Sequence, residues 1–292
     1  KTVNRAMNIF WNVYRFPLPY MILDGFSPTA GEGGGWDAAG VASRRERMAP
    51  EDRWILSRMN TCAVTIDAAL KERQLHRATR TLISFILEDL SRWYVQLVRP
   101  RMWLEGESAA KTDAYETISY VLRRLCGLLA PFTPHITEQM YRNLRLPGDP
   151  ESIHMTCWFS GDMQLIDERL EEEMATVRSF DEAQANARQT GRRKLRWPVV
   201  ECVVVTADDA VASAIENLND ICRDRANART VRVLKGAYDR SGWRAEPVMK
   251  AIGPAFGKKG ALVRELIAES DAASIRASHD QGETVTLSRD GE

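Results

Sequence analysis

The chain has 292 residues, 44% of them hydrophobic, which is enough for a buried core and long enough for two domains. Lys and Arg together number 40, and so do Asp and Glu, so the formal net charge is zero. A polyanionic partner must therefore be met by a local basic patch and not by a global field. No apolar run approaches the span of a bilayer, which argues against a transmembrane helix and a membrane partner. The five cysteines, Cys62, Cys126, Cys157, Cys202 and Cys222, form no CxxC pair. That argues against a zinc site or a disulfide framework, and isolated thiols fit a reducing cytosol. Residue 1 is Lys, and no signal-peptide pattern follows it. The chain begins inside an amphipathic pattern, as a fragment cut from a longer protein would.

From Thr2 to Tyr20, Val3, Met7, Phe10, Trp11 and Tyr14 fall at helical spacing, and Pro17 and Pro19 stop the helix. Asp24 to Pro50, with GEGGG at its centre, reads as a surface connection. Pro50 followed by Glu51 and Asp52 starts a helix with acidic residues in its first turn. Its stripe is Ile55, Met59, Cys62, Ile66 and Leu70. A second helix runs from about Leu75 through Leu82, Ile86, Leu90 and Trp93, with Trp93 facing the core. Pro100 is expected to end it. A third runs from about Thr112 to Leu129, and a fourth carries Ile136, Met140 and Leu144 after a staple at Phe132. Four long amphipathic helices with short links make a helix bundle. After a loop from Pro147 to Ser160 comes a polar helix over Asp162 to Ala187, whose run Glu171, Glu172 and Glu173 reads as a solvated face.

At Gly191 the texture changes. Pro198 to Thr206 reads as a Val-rich strand, Ala207 to Leu218 as a helix, Ala228 to Leu234 as a half-buried strand, Ala261 to Ile275 as a helix and Glu283 to Leu287 as a short last strand. The expected fold is mainly α, a helical bundle followed by a small α+β C-terminal domain. The expected divisions are a linking helix and Gly-rich loop over 1–50, the bundle over 51–190 and the α+β domain over 191–292.

Three stretches carry candidate chemistry. In DLSRWYVQLVRPRMW, Arg92, Arg99 and Arg101 interleave with Trp93, Tyr94 and Trp103. Guanidinium groups pair with phosphates, and aromatic rings stack on unpaired bases. A helix stripe of aromatics is also what a core needs. Between the two regions, Arg188, Arg192, Arg193, Lys194 and Arg196 lead into Trp197 and Pro198, a dense positive patch beside an aromatic. The stretch from Gly253 to Gly260 has the look of a phosphate loop. It lacks the spacing and the Ser or Thr after Lys258, so Lys258 and Lys259 read as a basic turn able to touch a backbone phosphate. His135 and Glu138 alone make no metal site. No catalytic constellation and no metal site is visible.

EDRWILSRMN, DLSRWYVQLVRPRMW, LLAPFTPHITEQMYRNL, SIHMTCWF and RKLRWPV occur in the order seen in isoleucyl-tRNA synthetases, and the chain most resembles their archaeal and eukaryotic type. The opening FWNVYRF is similar to the segment after their catalytic domain. The resemblance runs from residue 1 to about Val200 and more weakly through IGPAFGKKGALV. DRWILSR and APFTPHITE are shared with valyl and related enzymes, whereas WYVQLVRPRMW and KLRWPV are similar to the isoleucyl branch. The resemblance implies a helical bundle that recognises the anticodon stem and loop of isoleucine tRNA, and a C-terminal region that adds tRNA contacts. No HIGH-like or KMSKS-like motif and no editing domain is present. The resemblance therefore implies a non-catalytic, tRNA-binding portion of a ligase, without a cofactor of its own; a cytoplasmic location is expected from the isolated thiols, and nothing in the sequence suggests more than a monomer. ATP and Mg would serve the parent enzyme's catalytic domain. The residues carrying tRNA contact would be Tyr94, Arg99, Arg101, Trp103, Arg192, Arg193, Lys194, Arg196, Trp197, Lys258 and Lys259. A helical protein-interaction module, or the same region of a valyl-type enzyme, is the alternative.

Overall fold

The computed structural model describes residues 2–27, 44, 47–106, 108–236, 245–282 and 284–285. Helix α1 (Thr2–Arg15) buries Ala6, Phe10, Val13 and Tyr14. Val3 and Trp11, expected in its inner stripe, face out. Pro17 breaks α1 and sits at the N-cap of a short helix α2 (Leu18–Leu23); Pro19, expected to stop the helix, lies in its first turn, which a proline ring suits. Helix α3 (Pro50–Lys71) begins on Pro50 and is the centre of the bundle, buried through Trp54, Ile55, Met59, Cys62, Ile66 and Ala69. It packs on α4, α5 and α7.

Helix α4 is continuous from Leu75 to Trp103. It comprises an α segment (Leu75–Ser84), a π segment (Phe85–Tyr94) and a second α segment (Val95–Trp103). The wider π winding turns Phe85, Ile86, Leu90, Trp93 and Tyr94 inward together, and Asp89 with them. Pro100 does not end the helix: it only withholds the hydrogen bond that Gln96 would accept, and packing carries the last turn on. Helix α5 (Ala109–Leu129) is capped by Ser108, whose Oγ accepts from the Lys111 amide at 3.2 Å. Helix α6 (Pro134–Leu144) lies against it.

The loop back to the bundle passes through Gly161 at φ +86°. A Cβ there would sit 2.9 Å from the Asn60 carbonyl oxygen and 3.0 Å from Val64 Cγ2. Gly161→Ala is therefore expected to destabilise the bundle by about 2 kcal/mol or more, read as a lower urea midpoint. An unchanged midpoint would mean that the loop is not seated on α3.

Helix α7 (Glu168–Thr190) is capped by Asp167 and returns along α3. Strand β1 (Val199–Thr206), helices α8 (Asp209–Asn217) and α9 (Asn219–Ala226) and strand β2 (Ala228–Lys235) follow. Val199 donates to the Asn227 carbonyl at one end and Gly236 to the Thr206 carbonyl at the other, so the two strands run parallel. Their crossover is helical, as a parallel pair requires, and α8 and α9 pack on α7. Helix α9 was not anticipated: NDICRDRA is polar and short, and its three buried positions make too faint a stripe.

Packing divides the chain into one compact unit of Lys1–Val204 with Asp208–Leu234, and a second of Val205–Ala207 with Lys235–Glu292. In the second, α10 (Met249–Phe256) leads through a tight turn at Gly257 into α11 (Gly260–Glu269) and α12 (Ala272–Asp280). The single helix expected over Ala261 to Ile275 is two, because the Asp271 carboxylate accepts from the Ala273 and Ser274 amides and starts a new helix there. The expected strand from Glu283 to Leu287 lies, apart from Thr284 and Val285, outside the described residues, as does most of the connection from Asp24 to Pro50. The fold is mainly α with a small α+β part, as expected.

Candidate nucleic-acid interface

Two of the expected contact residues turn out to be scaffold. The Tyr94 side chain is fully buried, and its hydroxyl donates to Asp52 at 2.7 Å. Arg101 reaches back from the last turn of α4 and donates to both Asp52 oxygens at 2.8 and 2.9 Å. It also pairs with Glu51 at 3.1 Å and donates to the Ala110 carbonyl at 3.0 Å. Burial opposes the charge on Arg101, but Asp52 and Glu51 outweigh it and raise its pKa. Burial and the Asp52 carboxylate push the Tyr94 phenol well above its ordinary value, so it stays a donor. Burial likewise raises the Glu51 carboxyl, with Arg101 opposing it. Tyr94 therefore offers no face to a base, and Arg101 is already committed to carboxylates. These residues fasten the start of α3, the end of α4 and the start of α5 at one corner.

The other two are displayed by that corner. Trp103 is 57% exposed. The Arg99 guanidinium lies 5.6 Å from the Trp103 ring and 5.3 Å from the Phe16 ring. Arg99 has no carboxylate partner among the described residues, and its Nε is buried without an acceptor. Next to it, α1 and α4 enclose a groove of about 400 Å³ lined by Asn12, Arg15, Phe16, Tyr20, Gln96 and Arg99. Arg15 is exposed and also unpaired among the described residues. Two free cations, two rings and two amides converge on one open groove. That set can pair with a phosphate, stack on a base and hydrogen-bond its edge. Arg15, Phe16 and Tyr20 were missed in the sequence, because the groove exists only once α1 lies on α4, some eighty residues away.

The junction from Gly191 to Pro198 is exposed throughout. Arg192, Arg193, Lys194 and Arg196 have no carboxylate partner among the described residues. Trp197 is 47% exposed, and the Lys194 amine lies 5.9 Å from its ring. Arg188, expected among these basics, is instead buried beneath them and donates to backbone carbonyls. The result is a braced loop presenting four unsatisfied cations beside an aromatic face, a form suited to a phosphate backbone.

A family model for the anticodon-binding domain of tRNA ligase matches residues 52–205, from the Asp52 corner through the basic loop into β1. The chain belongs to this family. Among similar proteins is the isoleucine–tRNA ligase of Methanospirillum hungatei, 58% identical over 98% of this chain and 27% of that protein. The isoleucine–tRNA ligase of Methanoculleus marisnigri is 60% identical over 95% of the chain and 26% of its own length. That of Haloquadratum walsbyi is 41% identical over 90% of the chain. The chain spans about a quarter of the length of these relatives.

Inside this anticodon-binding domain, the DRWILSR stretch works as an internal frame. Arg58 pairs with Asp89 at 3.0 Å and Glu171 at 2.7 Å, and Glu171 also accepts from Ser57 and Thr61. Glu171 is thus an anchor of α7 on α3 and not part of a solvated face, whereas Glu172 is exposed. Arg178 pairs with Asp89 and lies over the Trp54 and Trp93 rings at 5.1 and 5.4 Å. Arg225 lies 5.0 Å from Trp93 and pairs with Asp181. In the second unit Lys259 is exposed, and the side chain of Lys258 lies outside the described residues. No helix among the described residues is long and apolar enough to cross a membrane.

Proposed function

We propose that this chain is the tRNA-binding part of an isoleucine–tRNA ligase, and that it grips the anticodon loop of isoleucine tRNA at the α1–α4 groove. The observation that carries the reading is Arg99, unpaired and set between the Phe16 and Trp103 rings at the edge of that groove. Anticodon bases are unstacked, so rings and guanidinium planes can take them. The loop residues Arg192, Arg193, Lys194, Arg196 and Trp197 hold the adjoining backbone, and Lys258 and Lys259 in the region 191–292 add a phosphate contact. The chain needs no cofactor for this and performs no chemistry. Amino-acid activation with ATP and Mg belongs to the rest of the ligase, which works as a cytoplasmic monomer.

The test is binding to isoleucine, valine and an unrelated tRNA across a salt series. Preference for isoleucine tRNA is expected. Trp103→Ala should lower affinity about tenfold without changing the salt dependence, since it removes a stack of about 1–3 kcal/mol and no charge. Arg99→Ala should lower it similarly and reduce the salt slope by about one. Equal effects of both variants on an unrelated tRNA would reduce the groove to a general RNA contact. The exposure of Ile22 (79%) and Leu23 (83%) on α2 favours a second reading, a protein-docking face. Loss of tRNA binding even at low salt would support that one.

A further inference from the structure

Arg188 is 9% exposed, and its guanidinium has no carboxylate partner among the described residues. Its bonds all go to backbone. One arm donates to the Trp197 carbonyl at 2.6 Å and the Lys194 carbonyl at 3.4 Å. The other donates to the Ala226 carbonyl, and to that of Asn227 at 3.4 Å. Two of these acceptors are in the basic loop, and two close the C-terminus of α9. A buried charge without a counter-ion is costly, and here two things lower the cost. Arg188 lies in the last turn of its own helix and at the end of α9, where helix dipoles favour a cation and carbonyls lack partners. A planar fork with five donors reaches the two segments with separate arms, whereas an ammonium offers three donors from a single point.

A second pin acts on the same loop. Asn227 adopts a left-handed conformation (φ 46°, ψ 51°) and donates from Nδ2 to the Leu195 carbonyl at 3.1 Å. Lys194, Leu195 and Trp197 are thus held by their carbonyls, which leaves every side chain from Arg192 to Trp197 pointing outward and exposed. Between its own paired ends, a chain with this density of like charge would otherwise spread by repulsion.

We propose that Arg188 is a positioning residue for RNA binding: it touches no RNA, and it sets the geometry in which Arg192, Arg193, Lys194 and Arg196 meet consecutive phosphates. This rests on the reading that the loop contacts tRNA, and the experiment separates the two. The salt slope of tRNA affinity is measured for the full chain, for Arg188→Lys, for Asn227→Gly and for a variant with glutamine at the four loop cations. Glycine keeps the left-handed backbone at 227 and removes only the pin, so that variant keeps the proposal testable if Arg188→Lys folds poorly. Circular dichroism melting checks the fold of each.

The expected result is that Arg188→Lys loses about tenfold in affinity and about one to two in slope, although every loop cation is still present. Asn227→Gly shifts the same way by a smaller amount. A merely structural Arg188 would lower the melting temperature and leave the slope of the folded protein alone. Wild-type slopes in both Arg188→Lys and Asn227→Gly, with a reduced slope in the glutamine variant, would overturn the proposal while sparing the loop contact. A wild-type slope in the glutamine variant would overturn both.

Discussion

Glutamine at Arg192, Arg193, Lys194 and Arg196 together is expected to weaken tRNA binding by about a thousandfold at 0.1 M salt and to reduce the salt slope by about three. Each cation that neutralises a phosphate releases roughly 0.7–0.9 of a counter-ion, and log affinity falls with log salt by the sum. Four lost contacts therefore remove about three decades at 0.1 M, and the wild-type and variant lines should converge near 1 M. The effect is large because these four cations are adjacent, exposed and without a carboxylate partner among the described residues, so each is available to a phosphate. Lys and Arg balance Asp and Glu at 40 each, so there is no global positive field to draw in RNA. Most other arginines of the first unit, including Arg58, Arg101, Arg178 and Arg225, are already paired with carboxylates. The loop should keep its shape in the variant, since it is held through backbone carbonyls and not through the substituted side chains. Binding measured from 0.05 to 1 M salt checks this. Parallel lines displaced by a constant amount would mean that the loop acts by shape and not by charge.

The bundle was legible because its periodicity is strong. Ile55, Met59, Cys62 and Ile66 announce the inner stripe of α3 and Pro50 its start, whereas the Ser108 and Asp167 caps lie four or five residues from the helix starts that periodicity suggests at Thr112 and Asp162. The site was half legible. Arginine and tryptophan alternate through α4, and the sequence cannot tell which of them face inward. That depended on the π segment, which sets Tyr94 toward Asp52, and on the helix running through Pro100, which turns Arg101 inward and Trp103 out. The residues missed altogether, Arg15, Phe16 and Tyr20, acquire their role by packing across a long stretch of chain. One local hint existed: Asn12, Arg15, Phe16 and Pro19 fall three or four apart and so share a face that no apolar stripe claims. Glu171 and Arg188 were misjudged for the reverse reason. Each sits in a charged run, read as a solvated face for Glu171 and as an exposed basic patch for Arg188, and each finds a partner on another helix, Arg58 for Glu171 and the Ala226 carbonyl for Arg188.

Asp52 shows how far the exposed site depends on these buried partners. Asp52→Ala is expected to destabilise the bundle by about 3–5 kcal/mol, since it strands a buried guanidinium and a buried phenol together. Tyr94→Phe removes one hydrogen bond to a charged group and should cost about 1.5–3 kcal/mol. Arg101→Met leaves Asp52 and Glu51 without their cation and should cost nearly as much as the loss of Asp52. The double variant Asp52→Ala, Arg101→Met should then lose much less than the two singles added, because each single's penalty is mainly the charge it leaves behind. Urea unfolding followed by tryptophan fluorescence measures all four. Additive losses would mean that the pair is solvated and holds nothing. The functional consequence follows from position. Arg99 and Trp103 flank Arg101 by two residues on either side, in the last turns of α4. With that turn released from α3, the Arg99 stack on Phe16 has no fixed geometry. At a temperature where Asp52→Ala is still folded, it should therefore bind tRNA more weakly even though neither Arg99 nor Trp103 has changed. Wild-type affinity in the folded variant would show that the α1–α4 groove is held by α1 alone.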